Sequence, residues 1–167
     1  MLSEAGRDPS YVIGGALSTS GVSSELGSGD AFVVEADESD ASFLQYPTEI
    51  AVITNVEADH LVNWGTPDAY AEGFHQFATG PSVRHVVINI DDAGSRALAD
   101  RLRAEGREVI TYGEAADADV RFDDVRALAS GGVTATLAYG QESGPLTLRV
   151  PGNHNLKNAS AAYAVGR

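Results

Sequence analysis

The sequence has no cysteine, which rules out a disulfide framework and a thiolate metal site alike. It is nearly without lysine: Lys157 stands alone, and the other basic residues are arginines scattered from Arg7 to Arg167 with no stripe or cluster. Eleven basic residues against 24 acidic ones give a net charge of −13, which repels phosphate backbones and anionic lipid where no positive patch is concentrated. Neither nucleic acid nor a membrane surface is an expected partner. No apolar run approaches the ~20 residues that cross a bilayer, and the opening "MLSEAGRDPS" has neither the basic start nor the apolar stretch of a secretion signal. These absences together predict a soluble protein of the cytoplasm. There is also no internal period of the kind that builds solenoids.

What is present is enough for one domain with a real core: 167 residues, 43% of them hydrophobic. Short apolar runs alternate with segments of helical spacing, which predicts an α/β layer fold. The runs "YVIGG", "AFVVEAD", "EIAVITNV" and "HVVINI" gather β-branched and aromatic residues and end in Gly, Asp, Asn or Glu, as buried strands leading into loops do. "TPDAYAEGFHQFATG" and "DDAGSRALADRLRAEG" are predicted helices, with Thr66 or Asp68 and Asp91 or Asp92 as N-caps and Gly80 and Gly106 as stops. "VRFDDVRAL", "GVTATLAYG" and "GPLTLRVPG" read as three strands joined by Gly-rich turns, hence a short antiparallel extension on a mostly parallel open sheet flanked by helices. Asp123 and Asp124 interrupt the first of these as a turn or a solvated edge. "GGALSTSGVSSELGSGD" lies between two strands and is expected as a long surface loop, while "NHNLKNASAAYAVGR" opens a helix that runs to the chain end. Met1 to Gly6 reads as the last turn of a helix, so both termini are expected to be cuts.

The tetrapeptide VEAD occurs twice, in "VEADESD" from Val34 and in "VEADH" from Val56, each time at the end of an apolar run. Ends of neighbouring strands in an open parallel sheet line one crevice, so the two copies are expected to converge there as parts of one site. Alternation puts Glu35 and Asp37 on one strand face, while Asp59 and His60 fall in the loop beyond the second strand. Carboxylates with one imidazole suit Mg²⁺, which keeps waters and needs few protein ligands; zinc fits less well without a second nearby His or any Cys. Acidic residues at strand ends usually cap helices or face solvent, however, and a lone His is more often structural. Asp91 and Asp92 are read first as helix caps, and His75 and His85 receive no function.

Three stretches, "EADESDASFL", "AVITNVEADHL" and "PGNHNLKNASAA", resemble in order and separation the central-domain motifs of the Mur ligases, most closely their alanine-adding branch. The resemblance implies an ATP-dependent ligase of peptidoglycan synthesis whose substrates in full length are UDP-N-acetylmuramate and L-alanine. It implies that Glu35 and His60 are Mg²⁺ ligands at the centre of catalysis, that Asn55 and Asp59 shape the loop around His60, and that His154, Asn155 and Asn158 contact ATP. On residues alone, those last three are also an ordinary helix start with Asn153 or Asn155 as cap. The family's Gly-rich phosphate loop ending in GK[ST] is absent, so residues 1–167 are expected to be a central ATPase domain without that loop, the N-terminal UDP-binding domain or the C-terminal domain. Val62 stands where many Mur ligases carry Asp. No lysine lies between His60 and Lys157 to serve as the carbamoylated Lys of several relatives, which fits the alanine-adding branch. Two readings compete: a relative that adds a preformed peptide to the same nucleotide sugar, and a non-enzymatic acidic metal-binding module.

Overall fold

Runs rich in Val, Ile and Phe pair as strands because branched side chains pack on a pleated surface, and here they do so in two separate sheets. The structure, a computed structural model, describes residues 1–167 and divides into two compact units, chiefly Met1–Phe43 and Leu44–Val165.

In the first unit, β1 (Ser10–Val12), β2 (Ser24–Glu25) and β3 (Phe32–Val34) form a sheet in the order β2-β1-β3. β1 and β3 are parallel, with Tyr11 opposite Val33, and β2 is antiparallel, with Glu25 opposite Tyr11. The Gly- and Ser-rich segment expected to be a plain loop therefore contributes a strand. It is pinned further by Asp8, whose Oδ2 accepts from the Ser28 amide (2.8 Å) and hydroxyl (2.6 Å), and by the Arg7–Asp30 pair at 3.0 Å.

In the second unit, β4 (Ile50–Ile53), β5 (His85–Asn89), β6 (Val109–Gly113), β7 (Val120–Ala127), β8 (Val133–Tyr139) and β9 (Glu142–Leu148) lie side by side in chain order. β4 to β7 are parallel, and β8 and β9 are the antiparallel extension. β7 thus serves both parts, and the bulge between Asp123 and Arg126 places the two acidic residues within this strand, with Asp124 at φ 52°.

The helices of this unit are α1 (Leu61–Trp64), α2 (Pro67–Ala78), α3 (Ala93–Ala104) and α4 (Asn153–Val165). Alternation along β5 shows how they cover the sheet. Val86 and Ile88 pack with Tyr70 of α2 and Leu98 and Leu102 of α3, while Val87 packs with Leu156, Ala161 and Ala164 of α4. Both faces of β5 are covered, which is why its sequence is an unbroken apolar run. Thr66 caps α2 by accepting from the Ala69 amide, and Asp92 caps α3 by accepting from the Ser95 amide.

One expectation fails. β3 and β4, which precede the two VEAD copies, are not neighbours in one sheet: β3 pairs only with β1, and β4 pairs only with β5. Apolar patterning identifies a strand, but its partner is chosen by hydrogen bonding between segments distant in sequence.

Candidate functional site

The carboxyl ends of β4, β5 and β6 point into three loops, the position at which open α/β sheets bind ligands. The loop after β4 is tightly held. Asn89 Nδ2 donates to the Thr54 carbonyl (2.9 Å), the Thr54 hydroxyl to Asn55 Oδ1 (3.0 Å), and the Val56 amide to Asp92 Oδ2 (3.0 Å). Gly94 makes this approach possible, since a Cβ there would lie 2.0 Å from the Val56 carbonyl oxygen. The loop closes on His60, the residue before α1, in the left-handed conformation (φ 51°, ψ 34°) with its amide donating to Asp59 Oδ1 at 2.7 Å. A non-glycine residue held there is uncommon and tends to occur at functional positions. Its side chain remains 47% exposed, so the imidazole is accessible. Glu57, in the same VEAD, is exposed.

The loop after β5 carries two aspartates with different tasks. Asp92 joins α3 to the His60 loop through the bonds above. Asp91 accepts from the Glu114 amide (2.9 and 3.0 Å), from the Ala115 amide (2.9 Å) and from Lys157 Nζ (2.9 Å). Gly113, at φ 149°, leaves the space: a Cβ there would meet Asp91 Oδ1 at 2.5 Å. Burial pushes the carboxyls of Asp91 and Asp92 up, but it is outweighed. The Glu114 and Ala115 amides with Lys157, and the Ser95 and Val56 amides, leave both below the ordinary Asp value. The reading of both residues as caps holds for Asp92 and not for Asp91. The clue in the sequence was the lone lysine of a strongly acidic chain.

α4 begins beside these loops. Leu156 and Ser160 are buried on its sheet side, whereas His154 and Asn158 are exposed. Asn155 Nδ2 donates to the Pro151 carbonyl (2.7 Å) and lies 3.1 Å from His154 Nε2. Asn153 turns its amide to Glu114 Oε1 at 3.1 Å. Neither asparagine side-chain nitrogen donates to a backbone group of the helix itself. His75 is not idle either: it pairs with Glu105 (2.8 Å) and Glu72 (3.4 Å), and His85 pairs with Glu108 (3.3 Å).

In the first unit, Glu35 follows β3 directly. Its amide extends the parallel ladder to the Val12 carbonyl, and its Oε2 accepts from the Gly14 amide at 2.7 Å. Asp37 and Asp40 accept from the Ser39 and Ser42 amides, the second residue on in each case. An open groove of about 310 Å³ in this unit, lined by Tyr11, Val12, Leu26 and Phe32 among others, contains none of the candidate residues. Neither unit gathers three His, Asp or Glu side chains into a metal cage.

The geometry can be set beside known proteins. The sequence profile of the Mur ligase middle domain matches residues 22–166. The UDP-N-acetylmuramate–L-alanine ligase of Cutibacterium acnes is 59% identical over 167 residues, covering 99% of this chain and 35% of that protein. The same ligase of Clavibacter michiganensis subsp. michiganensis is 51% identical, covering 98% of this chain and 33% of that protein. The crystal structure of the UDP-N-acetylmuramate-alanine ligase MurC of Thermotoga maritima superposes with a TM-score of 0.81 at 26% identity, over 98% of this chain and 36% of that one. The chain spans about a third of the length of these relatives. A mostly parallel sheet between helices with an antiparallel extension, and a profile match over nearly the whole sequence, lead to one conclusion: the chain belongs to the Mur ligase family, as its middle domain.

Proposed function

We propose that this chain is the nucleotide-handling part of a cytoplasmic ligase that joins L-alanine to UDP-N-acetylmuramate in peptidoglycan synthesis, at the cost of ATP. The observation that carries the reading is the 59% identity over 99% of this chain to a ligase of that name. In this reading the muramyl carboxylate accepts the γ-phosphoryl group of ATP, and the alanine amine then attacks the acyl phosphate and expels phosphate. Bringing a carboxylate to a triphosphate sets anion against anion, and Mg²⁺ when bound supplies the screening charge.

Glu35 and His60 are each proposed as Mg²⁺ ligands. Their chemistry fits: Glu35 spends one oxygen on the Gly14 amide and keeps the other, and His60 presents a half-exposed imidazole on a strained, well-tethered backbone. A carboxylate and one imidazole suffice for an ion that keeps several waters and takes substrate oxygens. His154, Asn155 and Asn158 are proposed to meet the adenine, since amides and a neutral imidazole both donate and accept on a base edge. The phosphate cradle and both substrates' partner domains belong, in this proposal, to the rest of such a protein.

The experiment is alanine-dependent phosphate release by the whole protein from ATP and UDP-N-acetylmuramate. Release that requires alanine supports the reading; release that requires a peptide instead of alanine transfers it to a peptide-adding relative.

A further inference from the structure

Lys157 is the only lysine of the chain, and its charge is already engaged. It lies in the second turn of α4, near the positive end of the helix dipole, where an ammonium ion gains nothing from the helix itself. The compensation comes from Asp91, 2.9 Å away, with side chains 28% and 13% exposed respectively. Asp91 is fixed in advance by the Glu114 and Ala115 amides and by the space left at Gly113. Its own amide donates to Asn89 Oδ1 (3.0 Å), and Asn89 holds the Thr54 carbonyl at the start of the His60 loop. A second tether, from Asn153 to Glu114, joins the first residue of α4 to the end of β6.

From this we propose that Lys157 is a positioning residue: its ion pair with Asp91 clamps the start of α4 to the ends of β5 and β6, holding His154, Asn155 and Asn158 in register for adenine. The proposal rests on the assignment of α4 to nucleotide binding. Burial of Leu156 and Ser160 seats the helix on the sheet, but these contacts are on its core side; the clamp acts at the end that carries the amides. Lys157 is accordingly not a phosphate ligand, because the half-buried Asp91 carboxylate neutralises it.

The test uses the whole protein with Lys157→Met, Lys157→Arg and Asn153→Ala. Lys157→Met should raise KM for ATP by roughly three- to tenfold with kcat within about twofold, and Lys157→Arg should recover most of the loss. Hydrogen exchange of the peptide covering residues 153–161 should be faster in Lys157→Met and near normal in Lys157→Arg. If Lys157→Met does not fold, Asn153→Ala decides, with a smaller rise in KM and faster exchange expected from cutting the exposed second tether. Unchanged exchange overturns the clamp, and so does an unchanged KM for ATP in a folded variant. Loss of kcat and Tm together without a change in KM would reduce Lys157 to a stabilising residue and overturn it as well. A wild-type protein that ligates no alanine refutes the functional reading instead, while the exchange result still decides the clamp.

Discussion

At the scale of single residues, the loop that presents His60 depends on Asp92 and Gly94. Asp92 bonds the Ser95 amide and the Val56 amide with the same oxygen, so Asp92→Ala removes a helix cap and a loop tether together. A cap alone contributes about 1 kcal/mol, and urea unfolding should show at least that loss. Gly94→Ala forces a methyl group to within 2.0 Å of the Val56 carbonyl oxygen, and overpacking of this kind costs about 1–3 kcal/mol. A variant with unchanged Tm would mean that the loop does not rest on α3. Protonation gives a third check. Asp91 and Asp92 have folded-state values below the ordinary 3.8, so each contributes stability that is complete above 3.8 and is lost as pH falls through its lower folded value. Asp91→Asn should therefore lose less stability between pH 5 and pH 3 than the wild type. An equal loss in both would contradict the engagement of Asp91 by amides and Lys157.

At the scale of elements, the short apolar runs and the cap residues made most of the architecture readable. α2 and α3 begin where Thr66 and Asp92 stand, and β4, β5 and β7 to β9 fall on the expected segments because their apolar patterning is a local property. Non-local features were not readable. β2 is only two residues long and exists through pairing with β1, and α1 is a single turn whose Trp64 ring packs against Gly73, with Tyr70 at 5.7 Å. Pairing also decided the separation of β3 from β4, which no alternation of residues encodes. For the candidate site, the family motifs singled out the residues proposed for it, while the tie from α4 to β5 became visible only when Lys157 and Asp91 were seen together. Thr66→Ala tests the account of α2: about 1 kcal/mol of stability should be lost, with the His60 loop's protection from hydrogen exchange little changed.

At the scale of the whole molecule, charge and coverage set the expectations. The chain carries −13 and has no GK[ST] loop, so taken alone it should bind ATP more weakly than about 100 μM and release no phosphate, because positioning and cation clamps supply most of the catalysis in phosphoryl transfer. Calorimetry showing low-micromolar binding would mean that the phosphate site lies within these residues. The central claim is that the two VEAD copies serve the reaction unequally, through Glu35 and His60 and not through the exposed Glu57. The most direct test is alanine-dependent phosphate release by the whole protein carrying Glu35→Ala, His60→Ala or Glu57→Ala. The account predicts that the first two fall by roughly a hundredfold or more, as loss of a metal ligand does, and that Glu57→Ala stays within about threefold of the wild type. Near-normal turnover in Glu35→Ala or His60→Ala, or a Glu57→Ala variant as impaired as either, would contradict it.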